Sequence, residues 1–275
     1  MVNILSEILH RKRQVVARLR ADSASRDFRQ RALEIRANAA PHRLLQALQS
    51  DLPALKIIAE FKRRSPSAGI IRNDLSPSDV ALSYERGGAC AISVLTDEEY
   101  FGGSIADLST VRFSTGLPVL RKDFIIDPIQ IYQAAIAGAD AVLLISTAVD
   151  DAALSKLRAV AEDELELDAV IEVHTSEELH RALKGGARII GVNNRDLRTF
   201  RTSLETSERL ITEAPRDRVM ISESGLQHAE SLRNLQALGF RGFLMGEALM
   251  RANDPERSLR YLIDAASQQL NSEIE

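Results

Sequence analysis

After residue 55 the chain alternates short runs of branched apolar residues with longer segments of helical periodicity. About eight such runs recur at intervals of roughly 20 to 36 residues, the spacing of strands in a closed barrel of alternating strands and helices. An open doubly wound sheet normally carries a glycine-rich turn after its first strand, and this sequence has none there. The pattern therefore predicts a (β/α)8 TIM barrel. The runs cover residues 56–61, 89–96, 118–122, 139–146, 167–173, 188–193, 218–222 and 242–245.

The segment before the barrel predicts helices. Apolar residues at helical spacing indicate an amphipathic helix over residues 4–19 and a second over about 28–48. An excess of arginine and lysine here, Lys12 included, is expected on a solvated helix face. No change of composition divides the rest of the chain. We therefore expect one domain over residues 1–275, with residues 1–50 as an N-terminal helical extension packed on the barrel.

Composition excludes several classes of function. The 275 residues are 45% hydrophobic and carry a formal net charge of -4, with acids and bases interspersed, which argues against nucleic acid as a partner. No apolar run approaches the ~20 residues of a membrane span, and no secretory signal precedes the first helix. The single cysteine, Cys90, lies in an apolar run and is expected in the core. We expect a cytoplasmic protein that binds neither nucleic acid nor a membrane.

Charged residues stand at the carboxyl ends of the predicted strands, where a barrel places its catalytic groups. Alternation along the first strand turns Ile58, Glu60 and Lys62 toward the barrel interior, and inward charges need partners or a chemical role. A ring of such groups is costly unless its charges pair and work together. The histidines are scattered, so a metal site or a Ser-His-Asp triad is not expected. The other strand-end residues are Ser65, Lys122, Asp123, Glu172, His174, Asn193, Asn194, Arg195, Glu223 and Ser224.

The last two strand ends have a different character. Ser224 and Gly225 follow the seventh run, and Gly246 and Glu247 follow the eighth, where a short helix begins. Glycines at these positions let a phosphate approach backbone N–H groups, and the same two loops bind phosphate in many barrels. The sequence therefore predicts a phosphorylated small-molecule substrate.

Six of these segments closely resemble the indole-3-glycerol phosphate synthase family, and they occur in the family's order. The resemblance implies a barrel with an N-terminal extension that acts in tryptophan biosynthesis without a cofactor. It implies ring closure of 1-(2-carboxyphenylamino)-1-deoxyribulose 5-phosphate with loss of CO2 and water. It also implies a monomer, with association with other enzymes of the tryptophan pathway left open. The segments are EFKRRSPS at 60–67, VLRKDFI at 119–125, IEVH at 171–174, IGVNNRDL at 190–197, ISESG at 221–225 and FLMGEALM at 243–250.

The resemblance also implies roles for individual residues. Lys122 is similar to the family's general acid, Glu172 to its general base, and Lys62 to a lysine that contacts the substrate carboxylate. Glu247 departs from the family, because several relatives have serine there, and its side chain is expected to turn away from the phosphate. The supporting polar residues are Glu60, Asn193 and Glu223. The expected substrate contacts are Ser65, Pro66, Phe101, Phe124, Leu143, Arg195, Leu197 and Leu244, and the expected phosphate contacts are Ser224, Gly225, Gly246 and Glu247.

The chemistry requires a proton for the ketone oxygen when an aryl carbon attacks it. We expect burial and a neighbouring ammonium to lower the pKa of the acid, Lys122, toward neutrality. Two alternatives remain: a Schiff-base sugar-phosphate aldolase with Lys122 as nucleophile, and a barrel that binds a phosphorylated metabolite without turning it over.

Overall fold

The structure is a computed structural model that describes residues 4–50, 55–196 and 199–272. Eight parallel strands close into a barrel in chain order, with the last strand paired to the first through Ile57 opposite Phe243 and Ala59 opposite Met245. The (β/α)8 prediction is confirmed. The barrel strands are β1 (Ile57–Phe61), β4 (Ala91–Leu95), β5 (Val119–Lys122), β6 (Ala141–Ile145), β7 (Asp168–Val173), β8 (Ile189–Asn193), β9 (Val219–Glu223) and β10 (Gly242–Met245), and a short antiparallel hairpin after β1 consists of β2 (Arg64–Ser65) and β3 (Gly69–Ile70).

Helices follow the strands, and several of them begin at a side-chain cap. The side chain of Ser76 accepts a hydrogen bond from the Asp79 N–H at 3.1 Å, and that of Thr175 accepts one from the Glu178 N–H at 3.2 Å. The described helices are α1 (Ile4–Ala21), α2 (Phe28–Arg36), α3 (Arg43–Gln49), α4 (Pro77–Arg86), α5 (Glu98–Phe101), α6 (Ile105–Ser114), α7 (Pro128–Ile136), α8 (Asp151–Ala159), α9 (Ser176–Lys184), α10 (Glu205–Ile211), α11 (Ala229–Leu238), α12 (Glu247–Arg251) and α13 (Pro255–Ser272). Within the described ranges, none of them is long and apolar enough to cross a membrane.

Alternation along the strands separates two apolar cores. The larger core lies between the strands and the surrounding helices, and a smaller one fills the barrel interior with Ile58, Leu120, Leu143 and other inward residues. Each fully buried side chain of this kind contributes roughly 1.5–3 kcal/mol. Cys90 packs against the inner core, and burial raises the pKa of its thiol to about 12. This agrees with the expectation of a core cysteine.

Helix α3 closes the amino end of the barrel. Its Leu44 and Leu48 are buried in the inner core, and a Cβ placed on Gly242, the first residue of β10, would lie 2.7 Å from Leu48. The Leu45 N–H donates to the side chain of Asp168, the first residue of β7, at 3.0 Å. Any cavity in the barrel must therefore open at the carboxyl end.

Two details differ from the sequence prediction. The helix expected over residues 28–48 is broken, since α2 ends at Arg36 and α3 begins at Arg43. Pro41 lacks the N–H that a continuous helix needs, and His42 adopts a left-handed conformation with φ 46°. The β2–β3 hairpin was not predicted, because its strands are two residues each and lack an apolar pattern.

Candidate active site

A cavity of about 870 Å³ opens at the carboxyl ends of the strands. It gathers residues from distant parts of the sequence because parallel strands all end at the same rim of the barrel. Leu197 was also predicted as a substrate contact and lies outside the described residues. The predicted residues that line the cavity are Glu60, Lys62, Ser65, Pro66, Phe101, Lys122, Phe124, Leu143, Glu172, Asn193, Arg195, Ser224, Gly225, Leu244, Gly246 and Glu247.

Lys122 is the centre of the charged group. Its Nζ lies 2.5 Å from Glu223 Oε2 and 3.5 Å from Glu172 Oε2, although the three residues belong to β5, β9 and β7. The side chains of Glu223 and Glu172 are almost fully buried. Glu223 does not line the cavity but holds the ammonium that does. One ammonium therefore joins two buried carboxylates.

The electrostatics of Lys122 correct one expectation. Burial alone would lower its pKa, but the carboxylates of Glu223, Glu172 and Glu60 outweigh burial and raise the pKa above the ordinary value for lysine. The sequence prediction of a lowered pKa was wrong, because it counted the neighbouring ammonium and not the three acids. The pKa of Glu223 is also raised. Burial is the main cause, the Glu172 carboxylate adds to it, and the Lys122 ammonium opposes it. Lys122 is thus fully charged near neutral pH in the free protein.

Lys62 forms a second pair at the end of β1. Its Nζ lies 2.6 Å from Glu60 Oε1, and Glu60 points into the barrel as alternation predicts. Burial would raise the pKa of Glu60, but the ammoniums of Lys62 and Lys122 hold it below its usual value. Gly246 of the neighbouring strand end leaves room for this carboxylate, since a Cβ on Gly246 would lie 2.9 Å from Glu60 Cβ.

His174 lies behind Glu172, outside the cavity lining. Its Nε2 is 3.5 Å from Glu172 Oε1, and its Nδ1 is 3.1 Å from Glu178 Oε2, which also accepts from the His174 backbone N–H at 2.8 Å. Burial lowers the pKa of His174, but Glu178 and Glu172 outweigh it and raise the pKa. Its place at a strand end was the one signal for it in the sequence, and the resemblance assigned it no role.

The side-chain amide of Asn194, in the loop after β8, holds the backbone at the end of β9. Asn194 donates from Nδ2 to Ser222 Oγ and to the Glu223 carbonyl, both at 3.0 Å, and to the Ser224 carbonyl at 3.1 Å. Ser224 and Gly225 both have left-handed φ angles, 67° and 76°. Asn194 therefore holds an unusual backbone shape at one of the two predicted phosphate loops.

The second predicted phosphate loop carries Gly246 and Glu247. The Glu247 carboxylate forms an ion pair with Arg251, at 3.1 Å from its Nε. This pairing removes much of the repulsion that a carboxylate beside a phosphate would cause. Gly246, Glu247 and Arg251 all line the cavity.

Another part of the cavity lining is apolar. The rings of Phe101 and Phe124 are tilted by 40° with centroids 6.1 Å apart. Leu143 and Leu244 rise from the barrel floor. Residues of α1 complete this part of the lining: Ile4, Leu5 and Ile8.

Lys12 fixes α1 to the rim of the barrel, where the sequence placed a solvated lysine. It is 5% exposed, and its Nζ lies 2.8 Å from Asp97 Oδ2 and 2.6 Å from Asp123 Oδ1. The expectation of a solvated face is wrong at this position. The signal was present, because Lys12 stands four residues from both Ile8 and Val16, on the buried stripe of α1.

Among residues 4–50, 55–196 and 199–272, no group of three or more His, Cys, Asp or Glu side chains could hold a metal ion. The charged groups of the cavity instead pair with one another. The arrangement offers the two ammoniums of Lys62 and Lys122, the carboxylates of Glu60 and Glu172, and an apolar part of the lining. Such a set can exchange protons with a bound substrate.

Comparisons with known proteins agree with this geometry. The family model for indole-3-glycerol phosphate synthase matches residues 5–262. The chain is 44% identical over 264 residues to the indole-3-glycerol phosphate synthase of Aromatoleum aromaticum, covering 95% of this chain and 99% of the relative. It is 43% identical over 264 residues to that of Carboxydothermus hydrogenoformans, covering 94% and 99%.

Solved structures support the fold alone. Thiamine phosphate pyrophosphorylase from Pyrococcus furiosus superposes with a TM-score of 0.59 at 17% identity, over 78% of this chain and 96% of that one. KGPDC from Streptococcus mutans superposes with a TM-score of 0.57 at 14% identity, over 78% and 98%. The family match spans nearly the whole barrel and α1, so this chain belongs to the indole-3-glycerol phosphate synthase family.

Proposed function

We propose that the chain closes the indole ring of 1-(2-carboxyphenylamino)-1-deoxyribulose 5-phosphate, releasing CO2 and water to give indole-3-glycerol phosphate. The observation that carries the proposal is that Lys122, paired with Glu223 and Glu172, lies in a cavity that apolar side chains and two glycine-containing loops also line. A substrate with an aryl ring at one end and a phosphate at the other matches this layout. Holding both ends would keep the reacting carbons within attack distance, which contributes several kcal/mol to catalysis.

In the first step, Lys122 is the general acid. The ring carbon bearing the carboxylate attacks the ketone carbon, and the ketone oxygen takes a proton from Lys122 Nζ as the carbon–carbon bond forms. The raised pKa makes Lys122 a weaker acid but keeps it protonated, so a proton is available, and the developing alkoxide is a stronger base than an amine and can take it. The carboxylate then leaves as CO2, and its bonding electrons return to the ring.

In the second step, the new hydroxyl leaves as water. Departure requires an acid. Lys62 supplies the proton, or Lys122 does so after it has taken a new proton from solvent, while Glu172 removes the proton from the adjacent ring-side carbon. The two electrons of that C–H bond form the ring double bond. Glu172 faces the cavity and is held at a fixed distance from Lys122, which suits a base that acts beside an acid.

Lys62 and the polar rim position the substrate. Lys62 lies within the cavity, and we assign its ammonium to the substrate carboxylate before CO2 leaves. Asn193 Oδ1 accepts from the Arg195 N–H at 3.0 Å, and Arg195 reaches Ser67 Oγ of the first loop at 3.2 Å. The contact between Arg195 and Ser67 joins the loop after β8 to the loop after β1, which also carries Ser65 and Pro66.

The phosphate is assigned to the loops after β9 and β10. Ser224, Gly225, Gly246 and Glu247 line this end of the cavity, where backbone N–H groups can donate to phosphate oxygens. The aryl ring is assigned to Phe101, Phe124, Leu143 and Leu244, and Leu197 remains a predicted contact.

The test is a continuous fluorescence assay for the indole product from the synthetic aryl substrate. Product formation, lost on substitution of Lys122, supports the proposal. Binding of the substrate without any product would identify a non-catalytic phosphometabolite-binding barrel instead.

A Schiff-base aldolase on the same barrel is less consistent with the site. A lysine nucleophile must be a neutral amine, and the raised pKa of Lys122 keeps it protonated. Borohydride with a sugar phosphate would trap an adduct on Lys122 of an aldolase, and ring-closing chemistry predicts no adduct.

We also propose that residues 1–275 form one cooperative domain, with residues 1–50 as its helical extension, and that the protein is a cytoplasmic monomer. The buried Lys12 ion pairs, which join α1 to the barrel, support the single domain. Coincident unfolding transitions measured by two spectroscopic probes would support the single domain. Sedimentation at the monomer mass would support the monomer.

A further inference from the structure

Lys12 is a fully buried lysine on α1, outside the residues assigned to chemistry. Its ammonium contacts two carboxylates on two different loops, Asp97 after β4 and Asp123 after β5. Burial would lower the pKa of Lys12, but the two aspartates outweigh it and raise the pKa. A buried ion pair of this kind is weak evidence for stability, since two charges lose their water. Its position points to another role.

Each aspartate accepts a hydrogen bond from the backbone of a segment that carries one aromatic ring of the cavity. Asp97 Oδ1 accepts from the Tyr100 N–H at 2.8 Å and so caps α5, whose last residue is Phe101. Asp123 Oδ1 accepts from the N–H of Phe124 at 2.7 Å. Lys12 therefore joins, through one atom, the two loop segments that carry the two rings.

The remaining bonds of the two aspartates are unequal. Asp123 Oδ2 accepts from Thr96 Oγ1 at 2.7 Å and from Arg121 at 3.0 Å, so it keeps a cation when Lys12 is removed. For Asp97, Lys12 is the one cation among the described ion pairs. Loss of Lys12 would leave the Asp97 carboxylate buried without a counter-charge, and the Asp97 loop would move to reach water.

We propose that Lys12 is a positioning residue that sets the spacing of Phe101 and Phe124 and thereby the affinity of the site for the aryl end of its substrate. The proposal rests on the assignment of the aryl ring to this end of the cavity. Among the described hydrogen bonds and ion pairs, none joins Lys12, Asp97 or Asp123 to the phosphate loops after β9 and β10. The structure therefore predicts a selective effect, on ring binding and not on phosphate binding.

The experiment compares Lys12→Met with Arg11→Met. Methionine keeps an unbranched apolar side chain in the buried stripe. Arg11 is the neighbouring residue of α1 and makes an exposed pair with Glu99 at 3.6 Å, so its substitution controls for loss of a positive charge on this helix. Two probes are titrated by calorimetry: 2-(methylamino)benzoate for the ring end and inorganic phosphate for the other end.

Lys12→Met is expected to weaken the ring probe about tenfold, the scale of a lost aromatic packing contact, and to change phosphate affinity less than twofold. KM for the aryl substrate should rise more than kcat falls. Lys12→Arg, which can still reach both aspartates, should restore part of the ring affinity. Arg11→Met should leave both probes unchanged.

Equal weakening of both probes, or no weakening of the ring probe, would overturn the proposal. If Lys12→Met does not fold, Asp97→Asn answers the same question, because the amide oxygen still accepts from the Tyr100 N–H while the charge that pairs with Lys12 is gone. A selective loss of ring affinity in that variant supports the proposal, and an unselective loss or no loss overturns it. Since both probes are measured by binding, the outcome is independent of turnover. Ring binding without product formation in the natural protein would refute the proposed reaction and leave the role of Lys12 standing.

Discussion

Substitution of Lys122 by methionine separates a chemical role from a structural one. Methionine fills a similar volume without a charge, so the buried carboxylates of Glu223 and Glu172 lose the ammonium that lies 2.5 Å and 3.5 Å from them. Loss of a positioned general acid costs about 100-fold or more in rate. We expect kcat to fall by about that factor while KM changes less, because the proton is needed in the transition state and not for binding.

The stability of the Lys122→Met variant should depend on pH in a defined direction. The pKa of Glu223 is already raised in the folded protein by burial, and Lys122 opposes that rise. Without Lys122 the folded pKa rises further, so the folded state holds a proton that the unfolded state releases, and stability falls as pH increases. Breaking a buried ion pair costs up to about 3–5 kcal/mol, and protonation of Glu223 reduces this cost at low pH.

Thermal melting at pH 5 and pH 8 and single-turnover product fluorescence on the same preparation measure both effects. Lys56→Met is the matched control, because Lys56 is a buried lysine at the amino end of the barrel whose Nζ contacts Ser50 Oγ at 2.7 Å. The control should keep its turnover. Retained turnover in Lys122→Met, or a loss of rate that simply follows the loss of melting temperature across pH, would refute the general-acid role.

Three further substitutions test other parts of the site. Gly225→Asp should raise KM at least tenfold by placing a carboxylate at the proposed phosphate site. The control is Gly225→Ala, which has the same left-handed backbone strain without the charge. Equal inhibition constants for inorganic phosphate in the two variants would contradict the assignment of the phosphate to this loop. Gly191→Ala should reduce kcat roughly tenfold without changing any charge, because the new alanine Cβ would lie 3.2 Å from Glu223 Cδ and displace that carboxylate. An unchanged kcat would show that Glu223 can move without loss of activity. His174→Gln should lower the melting temperature mainly below about pH 6.5. The pKa of His174 is raised in the folded protein, so its contribution to stability is fully present below the unfolded pKa and is lost as pH rises through the folded pKa. A difference in melting temperature that does not depend on pH would show that Glu172 and Glu178 do not stabilise the imidazolium.

The barrel itself could be predicted because its signals are local. Alternation along a five-residue strand was enough to turn Glu60 inward, and caps such as Ser76 and Thr175 mark helix starts within four residues of sequence. The polar strand-end residues of the cavity followed from one topological rule, that parallel strands end at the same rim, whereas contacts such as Phe101 and Leu143 came from the family resemblance.

The errors concern interactions between distant segments. The direction of the Lys122 pKa depends on how three carboxylates from three other strands are spaced around one ammonium, and sequence order gives no distances. Lys12 was placed in solvent because lysine is rarely buried without a partner, and its partners lie more than eighty residues away. The break at His42 depends on a single left-handed residue beside a proline.

The closed amino end of the barrel constrains how the enzyme is inhibited. Leu44 and Leu48 fill that end, so a molecule that enters at the carboxyl rim must leave by the same opening. Product and substrate share an aromatic ring and a phosphate, and on the proposed assignment they occupy the same two ends of one cavity. Accumulated product should therefore compete with substrate without lowering the maximal rate. A second enzyme that captures the product directly would have to dock over the rim, where Ile4, Leu5 and Ile8 of α1 already lie.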